Sequence, residues 1–135
     1  MELKEKYKLK KEQLISSVKD FEETLAIDLS GMNARLKDAV ENGQIQKFEI
    51  VVELLWKTAK QYLFVEHGVD TKSPKQTIKE LFLTGVISDE DYNLLLDMLD
   101  DRNRLSYIYQ KKVFEEVKSK LPHYLNVSQN VQSVI

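Results

Sequence analysis

Arg102, Asn103, Ser106 and Tyr109 are the residues in this chain whose types and spacing most directly suggest chemistry. Positions 102, 106 and 109 are one i,i+4 step followed by one i,i+3 step, so on a helix they line a single groove. Together the four side chains offer a guanidinium suited to phosphate, an amide and two hydroxyls. Arg104 lies about 160 degrees round the helix from Arg102 and is expected to face solvent or to serve a different contact. The stripe that leads into this row is apolar: Tyr92, Leu95, Leu96 and Leu99 recur at helical steps, and the same face then passes through Arg102. Burying an unpaired guanidinium costs several kcal/mol, so Arg102 is expected to be paired, or to line a cleft or an interface. The plain alternative is a helix that ends near Asp101 and gives way to a solvated loop. Against it, no Gly or Pro lies between Gly85 and Pro122 to stop the helix.

Other polar groups are weaker signals. Glu49 and Glu53 form an i,i+4 acid pair that by itself repels by a few tenths of a kcal/mol. Lys57 follows Glu53 in the favourable order, which fits a solvated charged face. The other reading is that one of these acids crosses the bundle and fixes the Arg102 guanidinium. Trp56 shares a face with Phe48, Val52 and Leu55 and reads as core rather than as a platform for a nucleic-acid base. Lys111 and Lys112 read as a solvated helix start, which beside Arg102 and Arg104 would add positive potential to a phosphate groove. His67 and His123 have no metal-ligand spacing and read as structural or exposed, so no metal and no cofactor is expected.

The elements that must position these residues are helical. With 135 residues the chain is expected to form one domain, and its few Gly and Pro argue against a turn-rich all-β fold. A formal charge of −2 gives no overall nucleic-acid signature. The absence of cysteine excludes disulfides and thiolate chemistry and fits a reducing, cytoplasmic setting. Neither a signal peptide nor an apolar run of the roughly 20 residues needed to span a bilayer is evident, so no membrane association is expected.

Five helical stretches follow from periodicity and capping signals. The first runs from about Leu3 to Leu29 with Leu14, Val18, Phe21, Leu25 and Leu29 on one face, and Gly31 breaks it. A short piece over Met32 to Val40 stops before the turn dipeptide Asn42-Gly43. The second long helix, Ile45 to His67, is apolar so far round its circumference that it is expected to be central in a bundle or to touch helices on two sides, one of them open to a second subunit. Ser73-Pro74-Lys75-Gln76 is a capping box opening the third helix, which Gly85 ends. Ser88 caps the fourth, which carries Arg102. The fifth runs from about Lys111 to Leu121 and closes at Pro122, leaving residues 126–135 as a frayed tail beyond a bundle of residues 1–125. The expected class is all-α, an antiparallel up-and-down bundle of four to five helices.

At this point three blocks in order carry a resemblance: Lys47-Phe48-Glu49 with Glu53 to Thr58; Ser73-Pro74 leading to Gly85-Val86-Ile87; and Asp101-Arg102-Asn103 with Ser106 and Tyr109. They resemble the nucleotidyltransferase substrate-binding protein family, part of the HEPN superfamily of helical bundles. The resemblance implies a homodimer whose usual partner is a separately encoded minimal nucleotidyltransferase. Related HEPN proteins are RNase toxins of toxin–antitoxin pairs, with an Arg, a spaced His and often a further Tyr. In such pairs the nucleotidyltransferase silences the toxin by adenylylating that Tyr. Here Arg102 matches the motif Arg and Tyr109 the motif Tyr, but Tyr107 stands where the His belongs.

That substitution decides between functions. A phenol with pKa about 10 is ionised to about 0.1% at neutral pH, and service as a general base would need about 4 kcal/mol of selective stabilisation. The expected function is therefore non-catalytic: the substrate-binding or regulatory partner of a small nucleotidyltransferase. Arg102 would contact phosphate, Asn103 and Ser106 would hydrogen-bond, and Tyr109 would be a contact or nucleotide acceptor. Glu49, Glu53 and Tyr107 would support the site, and a nucleotide or RNA would be the bound species. The alternative is an RNase toxin with a degenerate motif.

Overall fold

The structure, a computed structural model, describes residues 2–107 and 110–135, the side chain of Tyr107 excepted. These residues form five helices, α1 (Leu3–Leu25), α2 (Ala34–His67), α3 (Pro74–Leu83), α4 (Asp89–Tyr107) and α5 (Lys111–Val134). The all-α expectation holds, and none of the helices is long and apolar enough to cross a membrane.

Cross-helix bonds fix the directions. Thr58 Oγ1 donates to the Lys10 carbonyl and Gln44 Nε2 to the Thr24 carbonyl, both at 3.3 Å, so α1 and α2 run antiparallel. Arg104 reaches Glu116 and Asp101 reaches Lys120, so α4 and α5 are antiparallel as well. Phe82 stacks on Tyr92 with centroids 4.6 Å apart, closing the turn between α3 and α4. Gly68 caps α2 in the left-handed region at φ 66°, a conformation that favours glycine. Among the described residues α2 touches all four other helices. The wide apolar surface read as room for a second subunit is thus largely occupied within the chain, through Phe48, Val51, Val52, Leu55 and Leu63.

Three boundaries differ from the sequence reading. Asn42-Gly43 is not a turn but lies inside α2. Asn42 Nδ2 donates to the Asp38 carbonyl at 2.8 Å, and the flanking Gln44 and Ile45 are buried against the rest of the bundle. A helical Gly costs only about 1 kcal/mol, which this packing outweighs. Gly43 lacks a positive φ, and a Cβ built there meets nothing within 4 Å. Gly43→Ala is therefore expected to raise stability by up to about 1 kcal/mol, readable as a higher urea midpoint at constant slope.

At the other end, α5 does not close at Pro122 but passes through it to Val134. Pro122 is exposed and removes one helical hydrogen bond. Beyond it Tyr124, Val127, Val131 and Ile135 are all buried in the core, and Tyr7 Oη donates to the Ile135 carbonyl at 2.7 Å. Residues 126–134 thus belong to α5 and, with Ile135, form core and not a frayed tail. In α1 the helix stops at Leu25, short of the Leu29 boundary, and the Asp28 carboxylate accepts from Ser30 N at 2.9 Å. Such a local side-chain bond competes with helix continuation.

Candidate functional site

Helix α4 continues through the polar segment to Tyr107, as the lack of breakers implied. Its final turns present two adjacent ionisable residues to different neighbours. Asp101 turns inward to α5, and Arg102 turns toward α2 and the start of α3.

The inward side is a charge network. Asp101, with only 4% of its side chain exposed, accepts from Arg104 Nη1 at 3.0 Å, Lys120 Nζ at 3.2 Å and Tyr124 Oη at 2.5 Å. Arg104 also reaches Glu116 at 2.5 Å. Hydrogen bonds to Glu116 and then Asp101 raise the Arg104 pKa above its ordinary value. Burial, and after it the bond to Asp101, pushes the Tyr124 hydroxyl far above its usual range. Arg104 therefore serves a structural contact, the second of the two roles allowed for it. The network locks the rotation of α4 about its own axis, and so determines where Arg102 points.

On the other side of α4 lies a cleft of about 330 Å³. Its walls are Val52, Glu53 and Trp56 from α2, Ser73, Pro74 and Lys75 from the α3 N-terminus, and Leu99, Arg102 and Asn103 from α4. Local chemistry sets each wall. Ser73 Oγ accepts from Gln76 N at 3.3 Å and Pro74 opens α3, as the capping box predicts. Thr77 Oγ1 donates to the Ser73 carbonyl at 2.7 Å and bonds the buried Thr71, which pins this helix start in place. Lys75 pairs with Asp100 of α4 at 2.9 Å, an exposed contact.

Arg102 Nη1 donates to Ser106 Oγ at 3.2 Å, and that hydroxyl donates in turn to the Arg102 carbonyl. Among the described residues, Arg102 Nε is buried without a hydrogen-bond partner and no carboxylate lies within ion-pair distance of this guanidinium. Glu53 is the acid of the pair that faces it. Desolvation raises the Glu53 carboxyl pKa, but hydrogen bonds from Lys57 and Trp56 and the charges of Lys57 and Arg102 outweigh that and hold it below the ordinary value. Its ion pair is with Lys57 at 3.0 Å, one turn away, rather than with Arg102 across the bundle. The local partner prevails because it needs no reach between helices.

The structure thus brings Arg102, Asn103 and Glu53 to one cleft. Ser106 bonds to Arg102 and orients it without lining the cleft. Glu49 lines a different groove of about 550 Å³ beside Glu41, Leu105, Lys111 and Phe114. Tyr109 and the Tyr107 side chain lie outside the described residues. Trp56, read from sequence as core, is only partly buried and forms a cleft wall, its Nε1 donating to Glu53 Oε2 at 3.4 Å. Lys75 was missed altogether, since nothing local separates a helix-start lysine facing a cleft from one facing water.

Comparison with known proteins agrees with this architecture. The family described as "Nucleotidyltransferase substrate binding protein like" matches residues 9–135. The crystal structure of a protein from Thermus thermophilus superposes with a TM-score of 0.78 over 89% of this chain and 96% of that one, at 24% identity. At that identity the likeness concerns the fold alone. No curated protein matches the sequence.

Proposed function

The chain belongs to the family of nucleotidyltransferase substrate-binding-protein-like chains, and from that premise we propose that it is the non-catalytic partner of a small, separately encoded nucleotidyltransferase. In this reading it holds or regulates the substrate through the Arg102 cleft. The observation that carries it is the Arg102 guanidinium, oriented by Ser106 in a cleft built from three helices and free of any carboxylate partner among the described residues. Arg104, two residues on, is paired with both Asp101 and Glu116, so the two arginines of this segment are divided between ligand and scaffold. A guanidinium with N–H donors left unused among the described residues is suited to an anionic oxygen, and Asn103 adds an amide beside it.

Two finer elements rest on the family resemblance alone. The protein acts as a homodimer, and Tyr109 is a further contact or the acceptor of a nucleotidyl group. Tyr107 in the place of the motif His argues against metal-independent RNA cleavage, because a phenol of ordinary pKa is almost wholly protonated at neutral pH. Co-expression of the tagged chain with the nucleotidyltransferase of its neighbouring reading frame tests the partnership. A stoichiometric complex surviving gel filtration at micromolar concentration is expected. Separate elution of two folded proteins would overturn the reading.

A further inference from the structure

We propose that the cleft between α2, α3 and α4 binds a nucleoside phosphate, its base stacked on the Trp56 indole and its phosphate held by Arg102 and Lys75. The proposal rests on Arg102 as an anion contact and adds what carries the anion. A site for phosphate alone needs only donors and positive charge. This one also has an aromatic wall, continued by the apolar surfaces of Val52, Pro74 and Leu99. Trp56 is partly exposed and lines the cleft, its Nε1 donating to Glu53 Oε2 at 3.4 Å. An indole beside a cation suits a base joined to a phosphate, since every base offers a π-face for stacking.

The charges are arranged consistently with this. Glu53 is compensated by Lys57 at 3.0 Å, which leaves Arg102 as the positive charge without a carboxylate partner at this end among the described residues. The Lys75–Asp100 pair is 62% and 54% exposed, so Lys75 can be redirected to a ligand at little cost. A volume of about 330 Å³ lies at the small end of ligand sites and suits one nucleotide. The buried Arg102 Nε, without a partner among the described residues, becomes satisfied when a small rotation of the side chain brings it to a phosphate oxygen.

Trp56 is the single tryptophan of the chain, so its fluorescence reports on this cleft directly. The full chain is titrated with ADP, GDP and inorganic pyrophosphate, with fluorescence and calorimetry read in parallel. Saturable quenching by both nucleotides is expected, with pyrophosphate competing for the site but binding more weakly. Trp56→Leu should weaken nucleotide binding about tenfold or more while changing pyrophosphate binding little, and Trp56→Phe, which keeps a π-face, should restore most of the loss. Arg102→Gln should weaken nucleotides and pyrophosphate alike. Pyrophosphate binding as tightly as ADP, with Trp56→Leu without effect, would overturn the base platform and leave the anion contact standing. If neither class binds, the nucleotide proposal fails, and the nucleotidyltransferase partnership is then judged by co-elution alone.

Discussion

Deleting residues 127–135 is expected to abolish the cooperative fold. The segment buries Val127, Val131 and Ile135 to 1%, 0% and 2% exposure, with Ser128 also fully buried. Full burial of an aliphatic side chain contributes about 1.5–3 kcal/mol, so these three alone approach the roughly 5–15 kcal/mol that holds an ordinary domain together. The loss extends to α1, where Tyr7 loses its acceptor at the Ile135 carbonyl and Glu22 its bond to Gln129 at 2.8 Å. Circular dichroism during thermal melting is the measurement. The truncated chain should show no cooperative transition, or one lowered by more than about 20 °C. An unchanged midpoint would mean that α5 contributes no core beyond Asn126.

Asp101→Ala is the second large effect. The carboxylate is the shared acceptor of Arg104, Lys120 and Tyr124, and its removal leaves two cations side by side. It also strands the Tyr124 hydroxyl, on a residue only 1% exposed. An unsatisfied buried donor costs about 1–3 kcal/mol, and breaking a buried ion pair from one side about 3–5 kcal/mol. Because Arg104 and Lys120 reach solvent, a total near 3–4 kcal/mol is expected, read from the urea midpoint. Adding Tyr124→Phe removes the stranded hydroxyl and should recover about 1–2 kcal/mol. A single variant as stable as the parent would show that the network is incidental. Since the network sets the rotation of α4, the same substitution should also loosen the placement of Arg102 in the cleft.

Much of the fold is written locally and can be read without the structure. The stripe Leu14, Val18, Phe21 gives the buried face of α1, and Ser73-Pro74 marks the start of α3. The absence of Gly or Pro carries α4 through to Tyr107, because helix periodicity, capping and chain breakers act over three or four residues. For the same reason the sequence placed Arg102 and Ser106 on one face, and the structure joins them through a hydrogen bond.

Tertiary packing decided the rest. Asn42-Gly43 and Pro122 carry ordinary turn and stop signals worth about 1 and 3 kcal/mol, and burial of the residues around each outweighs them. Asp101 and Arg102 are neighbours of opposite charge, and only the position of Lys120 and Tyr124 on α5 determines which is drawn inward. Trp56 shares its stripe with core residues, yet faces a cleft because the start of α3 stands away from it there. A cleft wall made by Ser73, Pro74 and Lys75 opposite Arg102 joins residues far apart in sequence, and no local spacing encodes their distance. Local chemistry determined which helices form; the competition among their faces for the core determined which polar residues were left to meet a ligand.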